Sequence, residues 1–271
     1  MPSWVLIGCG YVGTKLARRL VGRGEDVTIA RRDPEEVTRI VNELGVRGVR
    51  ADLELPATLA GIVPPDAIVV CLAPPGKDPA AEIGALLAAA RVASRIVYVS
   101  STGVYAPGKG EWVDEGWPVE PVTTSGKARL AAEQALAAAE VPCTVLRVAG
   151  IYAADRGLAP RIRDGSYRIV GDGTSHVSRI HVADLITAII AAGEGAVNGV
   201  VNVADDDPAP IGEVADAVAG KLGQPPPPRV LPDSVSPEIS GMLTADRRIA
   251  NRRLKQELGV TLAYPSWRDA F

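Results

Sequence analysis

The chain has 271 residues, a formal net charge of -3, and 47% hydrophobic against 23% charged residues. That balance excludes a disordered chain, and the small net charge gives no electrostatic footprint for nucleic acid. The longest apolar runs, such as AIVVCLA from Ala67, are strand-sized and too short to span a membrane. WVLIG (4–8) reads as a strand leading into the helix-period segment YVGTKLARRLVGRG. DVTIAR (26–31) precedes a helix that starts after Asp33, a natural N-cap with Pro34 in the first helical position. GVRAD (48–52) is a third strand with a turn behind it. AIVVCLA (67–73) precedes the helix AAEIGALLAAARVA. RIVYVSS (95–101) leads through a long loop into a helix that follows Ser125, and CTVLRVAG (143–150) closes the series.

These strands are nearly all apolar, as strands buried on both faces of a parallel sheet should be. Repeated β-then-α order with right-handed crossovers predicts an α/β, doubly wound parallel sheet, the Rossmann arrangement. Beyond it the chain is less regular. LAPRIRDG (158–165) suggests a short helix, VADLITAIIAAGEG (182–195) a clearer one, and GVVNVADD (199–206) another strand. IGEVADAVAGKLG (211–223) is amphipathic and stops at a glycine. QPPPPR (224–229) predicts a stiff extended linker, and ADRRIANRRLKQELG (245–259) a basic helix. The expected division is a nucleotide-binding domain over residues 1–155, with the strand near 199–206 returning to its sheet. Residues 156–271 form a smaller, interleaved C-terminal substrate-binding cap.

No basic segment leads an apolar stretch toward a small-residue cleavage site, so a cytoplasmic protein is expected. Cys9, Cys71 and Cys143 form no CxxC pair and suit buried free thiols. With only two histidines besides, no metal site is expected.

Gly8-Cys9-Gly10-Tyr11-Val12-Gly13 lies between the first strand and the first helix. GxGxxG alone is a weak pattern, but here it follows a strand, opens a helix and starts a βαβ unit. The first glycine permits the tight turn, the second lets the backbone approach a pyrophosphate, and the third lets helix pack on strand. The helix start adds N–H donors and a partial positive charge. Arg31 and Arg32 end the second strand, where an enzyme preferring NAD usually carries an acidic residue for the ribose hydroxyls. A guanidinium fork suits a 2′-phosphate, so the expected cofactor is NADP ahead of NAD. Asp52 and Leu53 end the third strand. Asp52 either meets adenine or is a plain turn residue. Leu72 and Ala73, ending the fourth strand, complete the candidate cofactor set.

From here the sequence resembles the extended short-chain dehydrogenase/reductase family, in its epimerase/dehydratase-like branch, as an atypical member. The blocks that carry the resemblance are VYVSSTGVYAPGKGEWVDE (97–115), LRVAGIYA (146–153), RIHVADLITAI (179–189) and VVNVADDDP, in family order over nearly the whole chain. The resemblance implies that Ser101 matches the catalytic serine. The bland alternative for Ser101 is a strand-end serine capping the backbone. The family YxxxK should lie on the next helix, counted back from Glu133. Ser125 then stands at the tyrosine position and Arg129 at the lysine position, with the i, i+4 spacing kept. The chemistry is not kept. Tyrosine, with a reference pKa of about 10, serves as acid/base when a neighbouring lysine lowers it. A serine hydroxyl needs an adjacent base, and arginine will not give up its proton. Lys127 is two residues out of register. Thr102-Gly103 stand where family dehydratases carry acidic residues, which argues against a sugar dehydratase.

Tyr105 and Tyr152 follow the fifth and sixth strands on the ligand-binding edge, and either phenol could donate a proton. Arg179 could hold an anionic substrate, while His181 suits a structural histidine. The expected function is an NADP-dependent oxidoreductase or epimerase acting on a carbonyl or nucleotide-sugar. The alternative is a catalytically impaired protein that binds NADP(H) or a metabolite as a sensor. The partner is a small molecule in either case, and the resemblance implies a homodimer through long helices.

Overall fold

The computed structural model describes residues 3–270. Seven strands form the central sheet: β1 (Ser3–Ile7), β2 (Asp26–Arg31), β3 (Arg47–Arg50), β4 (Ile68–Cys71), β5 (Arg95–Ser101), β6 (Cys143–Val148) and β7 (Gly199–Val203). Their order is β7-β6-β5-β4-β1-β2-β3. The order reverses beside β1, where the next strand in sequence, β2, lies on one side and β4 on the other. Pairing is parallel through β3, β2, β1, β4 and β5. β4 is buried along its whole length, and β1 in all but its first residue. Strands covered on both faces must be apolar throughout, which is why these segments show no period-2 alternation.

The helices are α1 (Tyr11–Val21), α2 (Pro34–Leu44), α3 (Pro79–Ala89), α4 (Thr124–Leu136), α5 (Leu158–Arg163), α6 (Val182–Glu194), α7 (Ile211–Lys221), α8 (Pro237–Leu243) and α9 (Arg252–Gln256). α1 buries a stripe of Gly13, Leu16, Ala17 and Leu20. The Asp33 carboxylate accepts from the N–H groups of Glu35 and Glu36 at the start of α2, and Gly45 ends that helix in the left-handed region at φ 67. No helix among the described residues is long and apolar enough to cross a membrane.

The chain forms two compact units. The first comprises Met1–Ser100, Ala128–Leu146 and Ile189–Val200. Its core includes Val5, Ile7, Val69, Leu86 and Ile96. Cys9 and Cys71 are buried, and burial pushes each thiol up to about 11, so neither is a reactive thiolate. The second unit comprises Ser101–Lys127, Arg147–Ala188 and Val201–Phe271. Its core gathers Tyr152, Tyr167, Ile169, Val214 and Trp267.

One expected element differs. Residues 245–259 are not a single basic helix: Arg248–Ile249 is a short strand paired in parallel with Trp112–Val113, and only Arg252–Gln256 is helical. Tertiary partners override local propensity here. Asp246 sits in the left-handed region at φ 47, and its carboxylate accepts from the backbone N–H of His176 at 2.7 Å. The Arg247 side chain is buried and donates to the carbonyls of Tyr105 and Ala106. A continuous helix could not satisfy these contacts.

Candidate functional site

A cavity of about 270 Å³ in the first unit opens at the C-terminal ends of β1, β2 and β4. Gly8, Gly10, Arg31, Arg32, Asp52, Leu53 and Ala73 line it, all from the expected cofactor set. Tyr11, Val12 and Gly13 form the first turn of α1 beside it. Leu72 donates its N–H to Ile7 at 2.8 Å and packs its side chain toward Gly13.

The glycine loop is glycine for identifiable reasons. Gly8 has φ 84, and a Cβ there would lie 2.4 Å from the Ala73 backbone nitrogen. A Cβ on Gly13 would press the Cys9 sulfur at 3.2 Å. Gly10 is different: a Cβ would meet nothing nearer than 4.0 Å, so its bare backbone faces open space. No side chain caps α1, and its first turn holds no acidic residue. In contrast, Asp33 caps α2 and Asp78 caps α3. An uncapped helix start behind a bare glycine fits a phosphate group.

The two arginines have separate situations. Arg31 donates from Nη1 to the Cys9 carbonyl at 3.0 Å and lies 3.3 Å from the Glu36 carboxylate. It ties the glycine loop to the end of β2. Arg32 is exposed at the cavity rim. Two acidic side chains nearby each use one carboxylate oxygen, Oδ1, on backbone N–H groups. Asp33 caps α2, and Asp52 accepts from the Glu54 N–H at 3.1 Å, so Asp52 is a turn residue that also lines the cavity. Sequence reasoning missed Glu82. It is buried, and both its oxygens accept from the Gly76 N–H, at 3.0 and 2.9 Å, which fixes the loop after β4. The signal was present in Asp78-Pro79 followed by Glu82, an N-cap with an acidic residue one turn in that can reach back.

In the second unit, Ser101 ends β5, and its hydroxyl accepts from the Gly103 N–H at 3.0 Å, a backbone cap. Tyr105 is completely buried. Its hydroxyl donates to Asn202 Oδ1 at 2.7 Å, and the Arg147 guanidinium lies 4.6 Å from its ring centre. Ser125 is exposed in the first turn of α4. Its hydroxyl and N–H both donate to the Glu238 carboxylate, which also accepts from the Thr124 N–H at 2.8 Å. The Ser125 hydroxyl, with the N–H groups of Ser125 and Thr124, holds the Glu238 carboxyl below its usual range. A Cβ on Gly126 would lie 2.4 Å from the Gly103 carbonyl, so the start of α4 packs tightly on the turn after Ser101.

Arg129, one turn further along α4, belongs to the first unit. It donates to the Val99 carbonyl at 2.6 Å and stands 6.0 Å from the Tyr98 ring. Tyr152 is buried edge-on to His181 at 5.3 Å, and burial pushes its phenol upward. His181 also stacks on Tyr264 at 3.7 Å and accepts the Ala183 N–H at Nδ1, 3.3 Å away. Arg179 is buried, with burial lowering its pKa, and donates to the Val177 carbonyl at 3.2 Å.

Near Arg179, Asp205 is 1% exposed, and its Oδ2 has no hydrogen-bond partner. Burial pushes its carboxyl up to about 8. The native state therefore keeps a proton that the unfolded chain releases at about 4. Stability from this residue falls as pH rises from about 4 to about 8, then levels. Urea midpoints should decline across that window, and Asp205→Asn should flatten the decline. An identical slope in the variant would contradict the assignment.

A family model described as NAD(P)H-binding matches residues 8–192. The chain belongs to this NAD(P)H-binding family. The matched segment contains the glycine loop, β2, β4, β5 and α4. A 3-diazoavenalumate denitrifying reductase from Streptomyces sp. is 35% identical over 162 residues, 58% of this chain and 53% of that protein. The chain thus spans about half the length of this curated relative in the match. A functionally unknown conserved protein from Silicibacter pomeroyi has 30% identity and a TM-score of 0.85, covering 100% of this chain and 96% of the other. UDP-glucose 4-epimerase from Thermotoga maritima, solved with UDP-glucose, gives a TM-score of 0.81 at 17% identity over 99% of this chain and 96% of its own. The seven-stranded central sheet with its flanking helices is a Rossmann-like α/β fold.

Proposed function

We propose that the protein is an NADP-dependent oxidoreductase acting on a carbonyl or alcohol, with the second unit as its substrate-binding region. The observation that carries the NADP preference is the end of β2, where Arg31 anchors the loop and leaves Arg32 exposed on the cavity rim. The residues that would hold the dinucleotide are Gly8, Gly10, the first turn of α1, Arg31 and Arg32. The bound dinucleotide supplies the hydride chemistry. The similarity to a reductase favours redox chemistry over sugar epimerisation without net reduction.

The chain's own part is to orient the substrate and move its proton. Ser125 stands at the position of the family's tyrosine, and the Glu238 carboxylate supplies the adjacent base that a serine requires. In alcohol oxidation, the substrate hydroxyl gives its proton to Ser125 Oγ as the Ser125 proton passes to Glu238. Reduction runs the same relay backwards and needs Glu238 protonated from water, so with its carboxyl held low the reductive rate should rise as pH falls. Ser101, on the turn against which α4 starts, is the candidate to orient the substrate oxygen. The complete burial of Tyr105 and its bond to Asn202 favour Ser125 over Tyr105 as the proton-transfer group. A sensor reading draws on Arg129, whose guanidinium is turned to the Val99 carbonyl.

Equilibrium titration tests the cofactor assignment. NADPH should bind at least about tenfold more tightly than NADH, the worth of one charge-assisted phosphate contact. Arg32→Ser should remove the difference and leave NADH affinity intact. Arg31→Ser should weaken both cofactors, because it frees the glycine loop. Equal affinities in the wild type would sink the NADP assignment.

A further inference from the structure

The surface of the second unit beside the Ser125–Glu238 pair is apolar. α8 carries Glu238 in its first turn, with Ile239 next to it and Met242 one turn on. The helix meets residues 122–125 at two levels. Glu238 accepts from the Thr124 N–H and from the N–H and hydroxyl of Ser125. One turn further, a Cβ on Gly241 would lie 3.1 Å from Thr123 Cγ2 and 3.3 Å from Val122 Cγ2. The side chains flanking this seam are open to solvent: Val122 is 50% exposed, Ile239 43% and Met242 54%. Met242 is four residues from Glu238 and three from Ile239, so the two apolar side chains form a strip along α8 beside the carboxylate. A single exposed apolar side chain is ordinary, but a cluster beside a hydroxyl–carboxylate pair marks a binding surface.

The charge around the seam has one sign. Residues 110–126 and 230–245 contain no Lys, Arg or His, and they hold Glu111, Asp114, Glu115, Glu120, Asp233 and Glu238. The cations at their borders are committed elsewhere. Arg229 lies 2.9 Å from the Asp216 carboxylate, and Arg247 donates to the carbonyls of Tyr105 and Ala106. Lys127 follows Ser125 by two residues, about 200° round α4. Arg179 is buried and donates to the Val177 carbonyl. The start of α4 could offer N–H groups to a phosphate, but Glu238 occupies those of Thr124 and Ser125. A diphosphate brought to this seam would meet carboxylates where it needs cations.

We infer that the substrate is an uncharged carbonyl compound with an apolar body, its oxygen at Ser125 and its body on Val122, Ile239 and Met242. This substrate class rests on the Ser125–Glu238 relay proposed above and narrows it away from nucleotide sugars.

The test measures kcat/KM of the intact protein with NADPH for propanal, pentanal and octanal. A fully buried methylene is worth about fourfold, and on a half-open strip octanal should exceed propanal by about tenfold or more. Met242→Ser and Ile239→Ser alter exposed side chains, so melting temperature and NADPH affinity should match the wild type. Each should cut the octanal-to-propanal ratio by about threefold or more. Calorimetry with 1-octanol and with UDP-glucose reads the site without turnover. 1-Octanol should bind more tightly than UDP-glucose, and less tightly in Met242→Ser than in the wild type. If no aldehyde is reduced while 1-octanol binds and Met242→Ser weakens it, the relay fails and the apolar ligand class stands. The inference is overturned by an octanal-to-propanal ratio near one, by a ratio unchanged in both variants, or by tighter binding of UDP-glucose than of 1-octanol. A dimer that Met242→Ser dissociates with the ratio unchanged overturns it too, since the strip is then an interface between copies of the chain.

Discussion

Gly8→Ala should lower folding stability by about 2–5 kcal/mol, combining a left-handed backbone penalty with overpacking. Two independent costs meet at this position. The backbone sits at φ 84, which an alanine adopts only under strain. The added Cβ would also stand 2.4 Å from the Ala73 nitrogen and 2.6 Å from its Cα. Those are main-chain atoms at the end of β4, so no rotamer change can relieve the contact. Either β1 and β4 separate or the loop moves, and both disturb the cavity. The loss is a large fraction of a typical stability of about 5–15 kcal/mol. Urea unfolding measures it, and dinucleotide affinity should fall with it. A loss below about 1 kcal/mol with unchanged affinity would show that the loop is not held as described. Gly10→Ala is the informative contrast. Its Cβ clashes with nothing in the protein, so stability should change little while cofactor affinity drops.

Ser125→Ala and Glu238→Gln should each lower kcat/KM by about 10²–10⁴-fold, the usual worth of a positioned proton-transfer group. Cofactor affinity should stay the same in both. Glu238→Gln keeps the shape of the side chain but cannot take the proton, and its one amide oxygen can replace only one of the two carboxylate oxygens that accept from the Thr124 N–H and from Ser125. The Glu238 carboxyl is held low by the Ser125 hydroxyl and the two N–H groups, so the ionised form persists to acid pH. Oxidation in the wild type should therefore hold its rate as pH falls, until the pH drops below that lowered value. If Glu238 only caps α4, Glu238→Gln would lower the melting temperature and leave turnover per folded molecule unchanged. That outcome would remove the relay.

The contrast between these two sites shows what was legible in the sequence. The glycine loop, the double-sided burial of the strands and the start of α2 depend on neighbours within a few residues, and a linear pattern carries such information. The proposed proton relay rests on the Ser125–Glu238 hydrogen bond, which spans 113 positions. Nothing near Ser125 announces it. Tyr105 could be placed after β5, but its removal from the surface depends on Asn202, 97 residues away. The same limit explains residues 245–259. Their composition favours a helix, while Asp246, Arg247 and Ile249 are claimed by the backbone of residues 105–113 and by Ser178. The Arg31-Arg32 pair was visible as charge. Only the structure divides the labour between an anchored arginine and an exposed one.

The most direct measurement is consumption of NADPH, followed at the nicotinamide absorbance band, with a panel of aldehydes, ketones and nucleotide sugars. An oxidoreductase built as described turns over at least one of them, faster with NADPH than with NADH, and loses that turnover in Glu238→Gln. Tight NADPH binding with no consumption on any member of the panel would contradict an enzymatic role and leave the sensor reading in its place.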